Sequence, residues 1–142
     1  MSLAGVIFDF DGLVLDTEYV EYVSIDSIFR AHGTTLSLDL WKTFIGSTDH
    51  EHWSDILARQ IGRSVDRETL AAQRVIDNRP ALDALEVNKG VVELLDELRD
   101  AGVPLAVASS SPREWVEGHL GRVGLLDRFV AVRTGDEVAV TK

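Results

Sequence analysis

The sequence predicts an α/β fold, a doubly wound parallel sheet interrupted after its first strand by a purely helical segment. A short apolar run near the start reads as a buried strand. Residues 17 to about 86 carry only helical signals. Beyond them, helical stripes alternate with two more buried-strand runs. Such alternation implies a parallel sheet with right-handed crossovers.

Val6-Ile7-Phe8 anchors the first strand, predicted over residues 4–10, and a loop follows to Thr17. From Tyr19 to Ala31, the positions Tyr19, Val20, Tyr22, Val23, Ile25, Ile28 and Phe29 recur at helical spacing, and His32-Gly33 supplies a stop. A short helix is predicted over 37–44. After Gly46-Ser47-Thr48, Thr48 and Glu51 have capping-box spacing, ahead of Trp53, Ile56, Leu57 and Ile61 on one helical face. Asp66 is placed to cap the next helix, with Val65 and Leu70 as a hydrophobic staple. That helix is expected to weaken at Asn78-Arg79-Pro80. Val91, Leu94, Leu95 and Leu98 form an i, i+3, i+4, i+7 stripe that Gly102 can terminate. Val103–Ala108 is the second strand, with Pro104 tolerable only near its start or at an edge. Ser111-Pro112-Arg113-Glu114 reads as a helix start: a Ser cap, Pro at the first helical position and Glu in the capping-box place. Val116, Leu120 and Val123 give that helix its apolar face, and Phe129–Val132 reads as the third strand. The expected organisation is one core, 1–16 with 87–142, carrying an insert at 17–86.

A chain of 142 residues, 45% apolar, can bury a core of its own. It contains no uninterrupted apolar run long enough to span a bilayer, and no Arg-led apolar signal segment is read at its start. It has no cysteine, which removes disulfides and thiolate metal sites and fits a cytoplasmic location. The formal net charge of −10 speaks against nucleic acid as a partner.

The chemistry gathers at two strand ends, where ligands of open α/β sheets bind. At the first, Asp9-Phe10-Asp11-Gly12 puts two carboxylates two residues apart. On a continuing strand they would point the same way and repel. A turn after Asp9, which Gly12 permits, would relieve this. Carboxylates crowded at a strand end hold a hard cation, or act as nucleophile and proton carrier. The bland alternative is an Asx-type turn. At the second end, Ser109-Ser110-Ser111 precedes a helix whose first N–H groups and dipole favour an anion. Alternatively, Ser111 caps the helix and its neighbours fill a turn.

The run Val6-Ile7-Phe8-Asp9-Phe10-Asp11-Gly12-Leu13-Val14-Leu15-Asp16-Thr17-Glu18 closely resembles the opening of the haloacid dehalogenase (HAD) superfamily, in its phosphatase and β-phosphoglucomutase branch. The resemblance implies a Rossmann-like core with a helical cap at 17–86, and a small phosphorylated metabolite as substrate. It implies Asp9 as the nucleophile that forms an aspartyl-phosphate, and Asp11 as general acid, then base. It implies Mg²⁺ bridging the Asp9 carboxylate, the Asp11 backbone carbonyl and the phosphate. Ala108-Ser109 resembles the second motif, which makes Ser109, with the Ser110 N–H, the phosphoryl-binding pair. Gly12 and Thr17 join them as substrate-binding positions. In Val140-Thr141-Lys142, Lys142 resembles the third motif, where a lysine steadies phosphoryl charge; a solvated lysine is the other reading. The fourth motif, an acidic pair that completes the Mg²⁺ site, has no match here. The chain is thus expected to cover about two-thirds of a typical member, and turnover by this stretch alone is in question.

Mutases of the branch carry a His where this chain has Glu21, and an Arg where it has Asp49. Both departures favour a phosphatase over a sugar phosphate mutase. A non-catalytic phosphate-binding protein on the same fold is the rival from another class. His50 and His52 lie two apart, so on a helix they point about 200° apart and cannot share a tetrahedral metal. Trp41, Trp53 and Trp115 are expected to pack rather than to bind ligand.

Overall fold

The computed structural model describes residues 3–45 and 51–137. In chain order the elements are β1 (Val6–Phe8), α1 (Thr17–Ala31), α2 (Leu38–Lys42), α3 (Trp53–Ile61), α4 (Arg67–Asp83), α5 (Val91–Asp100), β2 (Leu105–Ala108), α6 (Arg113–Arg122) and β3 (Ala131–Arg133). Single 3₁₀ turns at Leu126–Arg128 and Gly135–Glu137 flank β3. The chain forms two compact units, one built from the residues up to Asp16 and from Leu85 onward, the other from Thr17–Ala84. No described helix is long and apolar enough to cross a membrane.

The first unit is a parallel sheet in the order β1-β2-β3. Val6 lies opposite Leu105 and Phe8 opposite Val107, while Val107 lies opposite Val132. Side chains alternate across a strand. Phe8, Leu105 and Val107 therefore share one face, where they bury against Val91 and Leu95 of α5 and Val116 and Leu120 of α6. Phe129 closes this core edge-on to Phe8, with ring centroids 6.0 Å apart. Among the described residues both crossover helices lie on that face, and Ile7 on the other is 72% exposed. β3 runs two residues later than the hydrophobic run suggests, because Phe129 is spent on the core and Val130 N–H bonds Leu105 O at 2.8 Å.

The second unit packs α1 against α4 and buries its own apolar cluster. Ile25, Ile28 and Phe29 of α1 meet Leu36, Trp41, Trp53, Ile56 and Leu57 there. Tyr19 and Val23, read as part of the α1 stripe, are exposed. Asp26, only 7% exposed, ties the end of α1 to the next segment. Its carboxylate accepts from Leu36 N–H (2.8 Å) and from Arg30 Nε (2.6 Å). Burial opposes its charge, but the Arg30 guanidinium and the Leu36 N–H outweigh it and hold the carboxyl below its usual range. Asp66 caps α4 by accepting from Thr69 N–H at 3.1 Å, and the flanking Val65 and Leu70 both pack on the cluster.

Three helix boundaries differ from the sequence reading. α3 starts at Trp53 with His52 as its cap, the ring Nδ1 accepting from Ser54 N–H at 3.2 Å. Thr48 and Asp49 lie outside the described residues. α4 continues through Pro80 instead of weakening there. Asn78 on one side of the proline is buried and donates to Glu21 Oε1 at 2.8 Å, while Leu82 on the other is buried too. The Asn78 bond to α1 before the proline and the burial of Leu82 after it offset the lost backbone bond. α6 starts at Arg113, after Pro112, and Ser111 does not cap it. Asp136 supplies the cap from across the unit, with both carboxylate oxygens 3.2 Å from Arg113 N–H.

Candidate active site

β1 ends at Phe8, and the chain turns just beyond, after Phe10. Phe10 is completely buried and Asp9 beside it is exposed. Asp9 Oδ1 accepts from Phe10 N–H at 2.8 Å, an interaction that fixes the carboxylate against its own turn. Val14 N–H returns to Phe10 O at 2.9 Å and Gly12 N–H reaches Leu15 O at 2.8 Å. Gly12 sits at φ 77°, the left-handed region that glycine enters at no steric cost. The sequence reading missed the residue that pins this loop. Asn88 Nδ2 donates to Leu13 O (2.9 Å) and Gly12 O (3.2 Å), while Asn88 N–H donates to Val14 O (2.9 Å).

The turn separates the two carboxylates. Asp11 leans towards the loop after β2 and the start of α6, where Ser109, Ser111 and Trp115 donate to it. Ser111 Oγ donates to Oδ2 at 2.6 Å and Ser109 Oγ donates to the same oxygen at 3.2 Å. Trp115 Nε1 donates to Oδ1 at 2.8 Å. The Ser111 hydroxyl is thus engaged with Asp11, and the cap of α6 falls to Asp136 instead. Ser109, 7% exposed, also accepts from Ser111 N–H at 3.0 Å and donates its own N–H to Arg133 O at 3.0 Å. The loop is closed from the β3 side by Gly135, whose N–H bonds Ser111 O at 3.1 Å. A Cβ on Gly135 would collide with the backbone carbonyl of Ser110.

Asp9, Asp11, Gly12, Ser109 and Ser110 therefore gather at the carboxyl ends of two adjacent parallel strands. Thr17 is the first residue of α1 in the second unit, 1% exposed. Lys142 lies outside the described residues. Ser111 and Trp115, read from sequence as a cap and a packing residue, are both polar partners of Asp11. Trp115 stands four residues after Ser111, in the first turn of a helix that begins beside the site, and that proximity was the available signal. Near the same loop, the Thr134 hydroxyl (2.6 Å) and then the Arg113 N–H hold the Asp136 carboxyl below its ordinary range.

No cluster of three or more metal-binding side chains occurs among the described residues. The exposed Asp9 carboxylate and the Asp11 backbone carbonyl are hard oxygen donors, of the kind a Mg²⁺ ion uses when it keeps several waters and shares a phosphate oxygen. The donor set fits such an ion.

The first unit is thus a parallel α/β sheet with paired aspartates at one strand end and a serine loop at the next. The chain belongs to the haloacid dehalogenase-like hydrolases, matching the family over residues 6–142. It is 36% identical over 140 residues to YhcW of Bacillus subtilis (strain 168), covering 99% of this chain and 64% of that one. To the validoxylamine A 7'-phosphate phosphatase of Streptomyces hygroscopicus subsp. limoneus it is 30% identical over 135 residues, covering 94% of this chain and 62% of that one. The crystal structure of CbbY from Rhodobacter sphaeroides in complex with phosphate superposes with a TM-score of 0.70 at 23% identity. That match covers 99% of this chain and 67% of the other, and at such identity it speaks for the fold alone. The chain thus spans less than two-thirds of the length of these sequence relatives.

Proposed function

We propose that the protein is a Mg²⁺-dependent phosphatase that hydrolyses a small phosphorylated metabolite through an aspartyl-phosphate on Asp9. The observation that carries this reading is the divided aspartate pair. Asp9 stands exposed at the end of β1, while Asp11 is fixed against the serine loop of β2. One carboxylate is thereby presented for attack and the other is oriented for proton transfer.

In the first step an Asp9 carboxylate oxygen attacks phosphorus in line and the bond from phosphorus to the leaving oxygen breaks. Protonated Asp11 delivers its proton to that oxygen. In the second step water attacks the aspartyl-phosphate, Asp11 takes the proton, and the phosphorus–Asp9 bond breaks to release orthophosphate. Ser109 and the Ser110 N–H hold the phosphoryl oxygens, and Gly12 lets the backbone approach them. When bound by Asp9 and the Asp11 carbonyl, Mg²⁺ screens the repulsion between carboxylate and phosphate. Lys142 adds cationic charge. The Thr17–Ala84 unit is the helical cap that the family resemblance implies as the chooser of substrate, and Thr17 is its candidate substrate-binding residue.

A phosphorylated small molecule as substrate is supported by the name of the validoxylamine A 7'-phosphate phosphatase. A mutase is disfavoured by Glu21, which pairs with Arg74 and accepts from Asn78 within the second unit. A cysteine-free chain fits work in the cytoplasm.

The test is phosphate release from a panel of sugar, glycolyl and aryl phosphates, with and without Mg²⁺. Metal-dependent turnover of a monoester is expected. Turnover only when a bisphosphate sugar is added would indicate the mutase. Phosphate binding without turnover would make the protein a binder.

A further inference from the structure

We propose that Trp115 is a positioning residue for Asp11, its indole N–H fixing the orientation in which that carboxyl group meets the leaving oxygen. The proposal rests on the phosphatase reading. It starts from the two ends of the Asp11 carboxylate. Oδ2 is served by two serine hydroxyls, at 2.6 Å from Ser111 and 3.2 Å from Ser109. A hydroxyl rotates about its C–O bond and can turn to another acceptor. Ser109 is moreover the group assigned to the phosphoryl oxygens, so its bond to Asp11 is open to competition.

Oδ1 is served by Trp115 Nε1 at 2.8 Å. The indole N–H is a donor only and is fixed in the plane of a rigid ring. That ring is braced edge-on against His119, with centroids 4.5 Å apart and planes at 72°. The neighbouring Val116 and Leu120 anchor α6 in the core, both completely buried. The indole therefore restrains rotation of the carboxyl plane, whichever way the hydroxyls turn. Proton transfer depends on that orientation, because the acid has to point at the oxygen it protonates. Substrate binding does not depend on it.

The inference predicts a defect confined to proton transfer. Trp115→Phe keeps an aromatic ring to pack on His119 and removes the N–H. In the full protein with Mg²⁺, the single-turnover rate at which an alkyl phosphate, whose leaving oxygen needs a proton, phosphorylates Asp9 should fall about tenfold. Dinitrophenyl phosphate leaves without protonation, so the alkyl-to-aryl ratio of that rate should fall by a similar factor, apart from the later hydrolysis in which Asp11 serves both substrates alike. A purely structural role would slow both substrates together and leave that ratio fixed, and that result overturns the proposal. So does an unchanged phosphorylation rate for the alkyl ester.

The contact itself is read separately from activity. In a ¹H–¹⁵N spectrum the indole resonance lost in Trp115→Phe should shift in Asp11→Asn, while those of Trp41 and Trp53 stay in place. If it does not shift, the hydrogen bond is refuted whatever the kinetics. If it shifts but the wild-type protein turns over no monoester, the phosphatase reading has failed and takes the positioning role with it.

Discussion

Asn88 shows how much of this site depends on one side chain outside the sequence motifs. It bonds three backbone carbonyls of the turn that carries the aspartates, two through its amide and one through its N–H. Asn88→Ala keeps only the last of these. It should cost about 1–2 kcal/mol of stability in urea unfolding, and lower phosphatase kcat by loosening the Asp9–Gly12 turn. Asp26 sets a pH dependence of the second unit. Its folded-state carboxyl titrates below the unfolded value of about 3.9. The group therefore adds stability above that pH, and the contribution fades as pH falls through the lower, folded value. Asp26→Asn keeps an acceptor for Leu36 N–H but removes the titration. Its unfolding midpoint should be lower than wild type at pH 7, and the gap should close below about pH 4. Side chains of this kind were hard to read in advance. Asn88 and Asp26 are spaced like ordinary polar residues, and only the folded backbone brings carbonyls and N–H groups to them. Trp115 was open to a better reading, because it stands four residues after Ser111 at the start of a helix that begins beside the site.

At the scale of elements, the strands and helices follow from apolar spacing, and the exceptions have local causes. The Val6-Ile7-Phe8 and Leu105–Ala108 runs became strands because each puts alternate residues on the helix-covered face. Phe129 fits the same pattern but is used as a core plug, so β3 begins later. Pro80 reads as a breaker, yet contacts on both sides keep α4 whole. The start of α6 is capped from a distance by Asp136, a contact that no local motif encodes. Leu120 joins α6 to the sheet and is completely buried. Leu120→Ala should cost on the order of 2–5 kcal/mol by leaving a cavity there, read as a drop in the unfolding midpoint. Gly135 holds a different kind of junction. Gly135→Ala forces a Cβ against the Ser110 carbonyl, so the serine loop has to shift. The expected outcome is weakened inorganic phosphate binding by calorimetry, together with a lower midpoint. Retained phosphate affinity would show that the loop can give way without consequence.

For the molecule as a whole, the division of labour is between a sheet that places chemistry at strand ends and a helical unit with a core of its own. The placement of Asp9, Asp11 and the serines at two adjacent strand ends could be foreseen, because parallel sheets put ligands there. The direction of each carboxylate could not, since it depends on Phe10 burying and on donors about a hundred residues away in sequence. The most direct test of the central claim is to acid-quench the protein during turnover of a phosphate monoester with Mg²⁺ and map the phosphoryl group by peptide mass. A phosphorylated peptide carrying Asp9, absent together with turnover in Asp9→Asn, is the predicted result. Turnover that persists in Asp9→Asn, with no phosphoryl group on that peptide, would contradict it.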